Sequence, residues 1–155
     1  MNNSKLYYSY KDIQVINDNI LTTEAIEPNS IDLIVTSPPY NVDIQYNSHN
    51  DDISYAEYLK FTRSWLSRCY DFIKDDGRFC LNIPLDKNKG GQQSVGADIT
   101  VIAKQIGFKY HSTIVWNEGI IPGGPAGGLG TAPNTHFGAK KTPGHSDAGL
   151  LLEKK

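Results

Sequence analysis

The sequence predicts an α/β chain, one part of a doubly wound sheet with parallel strands. Three observations predict it. Apolar runs of strand length lie at residues 31–36, 78–83 and 109–117, and stretches of helical apolar spacing lie between them at about 54–74 and 96–106. The links are short. Strands that alternate with helices in this way pair in parallel through crossover connections.

Each element has its own signal. Residues 12–19 carry a short alternation at Ile13, Val15 and Ile16 that reads as a strand, and residues 21–26 read as a short helix before the turn at Pro28-Asn29-Ser30. After the strand at 31–36, residues 41–54 are polar, with Tyr46 and His49 among them, and read as a loop. The helix at 54–74 opens on Ser54, with Glu57 three residues on as in a capping box. Tyr58, Phe61, Trp65, Leu66, Cys69, Phe72 and Ile73 fall on one face, and Asp75-Asp76-Gly77 reads as the stop. Arg78-Phe79-Cys80-Leu81-Asn82-Ile83 is the next strand, closed by Pro84. Residues 86–95 hold Gly90-Gly91; with no strand leading in, a plain connection is favoured over an anion nest. The helix at 96–106 turns Ile99, Val101, Ile102 and Ile106 inward and ends at Gly107. Beyond residue 121 the chain is rich in glycine and proline, with little apolar pattern before Leu150-Leu151-Leu152, and reads as an irregular tail.

Composition narrows the function classes. The 155 residues are 39% apolar and 21% charged, enough for one modest domain, with no apolar run long enough to span a membrane. Nothing at the start resembles an export signal, so a cytoplasmic location is expected. Cys69 and Cys80 lack companion histidine spacing and read as core residues, with no metal site and no disulfide expected. A net charge of −2 argues against an autonomous DNA binder, and Lys87, Lys89, Lys104, Lys109, Lys140 and Lys141 are scattered.

The most informative segment is Thr36-Ser37-Pro38-Pro39-Tyr40, directly after the apolar run Ile31-Asp32-Leu33-Ile34-Val35. Two prolines fix φ and disfavour helix before them, so residues 37–40 form a stiff extended turn. The Ser37 hydroxyl and a carbonyl near Pro38 are then acceptors for the two N–H bonds of one amine, and the Tyr40 ring is a platform for the plane that carries it. The plain alternative is a rigid connector with Tyr40 packed as core. The preceding strand favours the site, because ligands in open α/β sheets lie at the carboxyl ends of strands.

Residues 31–41, ending Ser37-Pro38-Pro39-Tyr40-Asn41, resemble the catalytic motif of the DNA amino-methyltransferases, which methylate N6 of adenine or N4 of cytosine. The likeness extends over residues 12–119, to the strand end Trp116-Asn117-Glu118-Gly119. It implies a Rossmann-like, S-adenosylmethionine-dependent fold, DNA as the partner, and catalytic roles for Ser37, Pro38, Pro39 and Tyr40, with Tyr40 stacked on a flipped-out base. Asn41 is expected beside the substrate. Asp18 resembles an acidic residue near the cofactor pocket, although a turn role suits it as well. Serine at the first motif position leans toward cytosine, yet serine occurs in both groups. A related Asn-Pro-Pro-Tyr motif acts on protein amides, and Ser37 argues against that use.

One family element is absent. The Phe-x-Gly-x-Gly loop for the methionine part of the cofactor does not occur in the 155 residues. In the permuted subgroup with the catalytic motif near the N-terminus, that loop and the target-recognition segment come later, which places them past Lys155. Residues 1–121 are therefore expected to be a catalytic half, and 122–155 a tail. Pro122-Gly123-Gly124-Pro125-Ala126-Gly127-Gly128-Leu129 is what a one-base shift makes of a family-like Ser-Arg-Arg-Thr stretch, so a frameshifted end near Ile121 is a further expectation. A non-catalytic remnant is the competing reading.

Overall fold

The helix predicted from Ser54 begins with the capping box that its sequence encodes. In the computed structural model, which describes residues 6–41, 52–85, 87–88, 92–117 and 146–154, the Glu57 amide donates to Ser54 Oγ at 3.3 Å. The Glu57 carboxylate in return accepts from the Ser54 amide at 3.1 Å. The Ser54 hydroxyl and amide hold the Glu57 carboxyl below its usual range. This cap therefore stabilises the fold above the ordinary glutamate range, and the contribution is lost as pH falls through the lowered value.

α1 (Tyr55–Phe72) follows from that cap. It ends before the acidic stop predicted for it: Ile73 is already extended, and its amide closes the last turn on the Cys69 carbonyl. Asp75 to Gly77 instead lie inside a long strand, β4 (Ile73–Pro84), with Asp76 at φ 62°. Glycine is required at 77, where a Cβ would lie 2.6 Å from Ile73 Cγ1 and 2.8 Å from the Lys74 carbonyl.

Upstream, β1 (Leu6–Tyr10) and β2 (Ile13–Ile16) form an antiparallel hairpin that is separate from the main sheet. The short helix expected at residues 21–26 is not formed. Asn19 and Thr23 capture the backbone there, with the Leu21 amide on Asn19 Oδ1 at 3.0 Å and the Ala25 amide on Thr23 Oγ1 at 3.2 Å. Short polar side chains compete with helix in this way.

β3 (Ile31–Thr36) pairs in parallel with β4, from Leu33↔Arg78 to Thr36↔Leu81. After β4 come two short strands, β5 (Lys87–Asn88) and β6 (Gln92–Gln93), which pair with each other where a plain loop was expected. Gly90 and Gly91 lie outside the described residues. α2 (Val95–Ile106) ends at Gly107, whose φ of 131° suits glycine. β7 (Lys109–Asn117) and β8 (Ser146–Glu153) complete the sheet in the order β3-β4-β8-β7.

Two expectations are corrected by β8. Among the described residues only β3 and β4 pair in parallel, and the sheet is mixed because β8 lies antiparallel between β4 and β7. Residues 146–153 are a strand, not an irregular tail. Leu150-Leu151-Leu152 has no alternation in sequence, yet the strand alternates in burial, with Leu150 and Leu152 buried and Leu151 half-buried on the opposite face. Residues 122–145 lie outside the described residues.

The core lies on one face of the sheet. Phe79, Leu81 and Ile83 of β4 alternate into it and meet α1 and α2, with the Trp65 and Phe79 rings 6.3 Å apart and Phe108 5.4 Å from Phe79. In α2, Ile99, Ile102 and Ala103 are buried, but Val101, expected inside, is 54% exposed. The stripe i, i+3, i+4 leaves it at the side. Cys69 is buried, which pushes its thiol up to about 12, and both cysteines are free. Among the described residues, no helix is long and apolar enough to cross a membrane.

Just past β8, Lys154 is buried and closes the lower end of α1. Its ammonium donates to Asn29 Oδ1 at 2.6 Å and to the Tyr70 and Ile73 carbonyls at 3.0 Å each, 4.6 Å from the centre of the Tyr70 ring. The last turn of α1 has no basic residue of its own. Lys154 thus supplies the cation that a helix C-terminus favours. Lys154→Met is expected to cost about 3 kcal/mol, since buried acceptors lose a charged donor. Urea titration checks this as a lower midpoint at unchanged slope.

Candidate active site

The parallel register of β3 and β4 sets the site. Thr36 lies opposite Leu81, so Ser37 leaves the end of β3 where Asn82 continues β4. From there Ser37-Pro38-Pro39-Tyr40 continues beyond the strand end, with Ser37 exposed, both prolines half-buried and Tyr40 packed against the rim of the core.

Three side chains meet there. Ser37 Oγ and the Tyr40 hydroxyl are 2.7 Å apart, and Asn82 Nδ2 donates to the same Tyr40 oxygen at 3.0 Å. The Ser37 hydroxyl is at the surface and has one proton and two lone pairs to arrange. A planar amine entering here meets a serine oxygen, the edge of a proline turn and an aromatic ring.

Asn41 lies one residue further on and does a different job. It is 1% exposed and takes the left-handed φ of 56°, which asparagine tolerates better than most residues. Its carboxamide donates to the Ile53 carbonyl at 2.9 Å and accepts from the Ile53 amide at 3.1 Å. This clasp joins the motif to the start of α1. Next to it the Tyr55 hydroxyl donates to Asp98 Oδ2 at 2.7 Å, tying the first turn of α1 to that of α2. Burial and the Asp98 carboxylate push the Tyr55 phenol well above its ordinary range, so it stays a donor.

The structure therefore brings Ser37 and Tyr40 together through hydrogen bonds, with Pro38 and Pro39 as the link, and Asn41 in the clasp behind. Asp18 is exposed in the turn after β2, where its carboxylate accepts from the Asn19 amide at 2.8 Å. Sequence reasoning missed Asn82. Its signal was available: Asn82 interrupts the otherwise apolar run from Phe79 to Ile83, and asparagine is a poor strand former unless its side chain has a task.

Comparison with known proteins bears on this geometry. A family model described as DNA methylase matches residues 31–140, which includes the motif, α1, β4, α2 and β7. The chain belongs to this N6/N4 DNA methylase family. Among relatives, the Type II methyltransferase M.MjaVI of Methanocaldococcus jannaschii is 56% identical over 115 residues, covering 74% of this chain and 58% of the relative. The Type II methyltransferase M.HpaI of Haemophilus parainfluenzae is 28% identical over 102 residues, 66% of this chain and 30% of the relative. The chain thus spans about half or less of these methylases.

Solved structures share the fold. PvuII DNA methyltransferase, cytosine-N4-specific, superposes with a TM-score of 0.56 at 17% identity, over 85% of this chain and 45% of that one. TTHA0409 of Thermus thermophilus, solved in complex with S-adenosyl-L-methionine, gives 0.55 at 20% identity, over 84% and 50%. The methylase fold accounts for the arrangement seen here: an α/β sheet with the Ser37 turn at its carboxyl edge.

Proposed function

We propose that this methylase chain carries the base-gripping half of an enzyme that transfers a methyl group from S-adenosylmethionine to the exocyclic amine of a flipped-out base in DNA. The observation that carries the reading is the pairing of Ser37 Oγ with the Tyr40 hydroxyl at 2.7 Å, at the carboxyl end of β3. An aryl amine is a weak nucleophile because its lone pair is conjugated with the ring. Ser37 Oγ and a carbonyl of the Pro38–Pro39 turn accept its two N–H bonds and draw the nitrogen toward a tetrahedral, more nucleophilic geometry. Tyr40 offsets the stacking that the base loses on leaving the duplex. Asn41 acts indirectly, by clasping the motif to α1.

When bound, S-adenosylmethionine supplies an activated methyl group. Asp18 is the residue of this chain that we assign to it, since an exposed carboxylate suits hydroxyl or amino donors; the remainder of the cofactor site we place in the part of the methylase fold that these residues do not span. The target is either cytosine N4 or adenine N6, and the serine at position 37 leans toward cytosine. Residues 1–121 together with β8 form the catalytic half in this reading, and a gene whose alternative frame beyond Ile121 shows no Phe-x-Gly-x-Gly sequence would rule out a frameshift there.

A second reading takes these residues as a base-binding remnant without catalysis. The chain lacks a Phe-x-Gly-x-Gly loop. Calorimetric titration of the whole chain with S-adenosylmethionine separates the two. Saturable heat supports the enzyme; its absence leaves the remnant.

A further inference from the structure

We infer that Asn82 is a positioning residue for the base, acting through Tyr40. The inference rests on the base-gripping reading above and goes one residue beyond the motif. Asn82 is on β4, one strand away from Ser37, and no feature of the Ser-Pro-Pro-Tyr turn requires it.

The argument is one of hydrogen-bond capacity. A phenol oxygen has one proton and two lone pairs, and an asparagine Nδ2 is a donor only. The 3.0 Å contact from Asn82 therefore occupies a lone pair on Tyr40 and leaves the phenol proton to be placed. Donation into that oxygen also makes the phenol a better donor, because linked hydrogen bonds polarise one another. Either oxygen can be the donor in the 2.7 Å contact between Tyr40 and Ser37, and this polarisation favours Tyr40 as donor with Ser37 Oγ as acceptor. In this state the Tyr40 proton covers one of the two serine lone pairs, the one on the side of the ring on which a base would stack.

An amine that takes the lone pair held by Tyr40 exchanges one donor for the other on Ser37. The two anchors of the Tyr40 oxygen are affected differently by this exchange. The Ser37 contact is given up when the amine takes its place, whereas the Asn82 contact engages a different lone pair and persists. Asn82 thus keeps the aromatic platform in register while Ser37 changes partners. Without it, each amine that binds Ser37 also loosens the ring on which its own base must stack.

The test is a double-mutant cycle on the whole chain, read by binding of 1-methylcytosine and 9-methyladenine in nuclear magnetic resonance titrations. Asn82→Ala is expected to weaken binding of whichever base the chain takes by about fivefold, the worth of one hydrogen bond. In a Tyr40→Phe background the same substitution is expected to change binding by less than about twofold, because the phenol through which Asn82 acts is gone. The Asn82 side-chain NH₂ signals should shift in Tyr40→Phe with no base present, a readout that does not depend on binding. An equal loss in both backgrounds, or unmoved Asn82 signals, overturns the positioning role while leaving the base grip standing. Failure of the unmodified chain to bind either base, with the Asn82 signals still coupled to Tyr40, overturns the base-gripping reading and the positioning role with it.

Discussion

A chain that stops before Ser146 is expected to lose its cooperative unfolding transition. β8 lies between β4 and β7 and pairs with both, from Arg78↔Glu153 to Pro84↔Asp147 on one side and from Lys109↔Glu153 to Asn117↔Ser146 on the other. Its removal opens two strand edges in the middle of the sheet. Leu150 and Leu152, 3% and 0% exposed, each contribute about 2 kcal/mol through burial, and Lys154 contributes about 3 kcal/mol more. Together these approach the whole stability of a small domain, about 5–15 kcal/mol. Circular dichroism during urea titration should show a broad drift instead of a sigmoid. A truncated chain with an unchanged midpoint would contradict the placement of β8 and restore residues 122–155 as a dispensable tail.

Ser37→Ala is expected to slow methyl transfer by about 10²–10³-fold, the scale at which loss of one preorganised hydrogen-bonding group acts on a transition state. Binding should change much less. In the proposed reading the serine oxygen accepts one N–H of the amine, and this bond strengthens as the nitrogen gains positive charge during transfer, so its loss falls on the rate. Stacking on Tyr40 supplies most of the ground-state affinity and is left in place. Comparing turnover and KM for DNA, with radiolabelled S-adenosylmethionine, checks the split. A rise in KM alone would make Ser37 a docking residue and place the activation of the amine elsewhere.

Much of this arrangement is legible in the sequence because its signals are local. Ser54 with Glu57 gives the start of α1, Gly107 gives the end of α2, and the two prolines give the stiffness of the turn at 37–40. Ile31 to Thr36 reads as a buried parallel strand; the structure pairs it in parallel with β4 but leaves Leu33 54% and Val35 72% exposed. What escapes the sequence depends on contacts between distant residues. The helix expected at 21–26 is the exception, lost to local bonds: the Asn19 and Thr23 side chains take amides two residues on. The stop of α1 lies at Ile73, ahead of the glycine, because β4 pairs with β3 from Ile73 onward.

The same limit explains β8 and Asn82. A run of leucines after a glycine-rich segment has no periodicity to distinguish a central strand from a tail, and only pairing with β4 and β7 gives it a place. Asn82 is 42 residues from Tyr40, and their contact exists only because β3 and β4 are in register. The motif is thus readable as chemistry, and the sequence marks Asn82 as unusual, but its partner Tyr40 is readable only from the fold.

The central claim is that Ser37 and Tyr40 grip a base by its exocyclic amine. Titrating the isotopically labelled chain with 1-methylcytosine, 9-methyladenine and the amine-free 1-methyluracil tests it most directly. The account predicts saturable shifts at Ser37 and Tyr40 for at least one amine-bearing base and markedly weaker binding of 1-methyluracil. Equal affinity for the amine-free base, or shifts confined to residues away from the turn at 37–40, would contradict it.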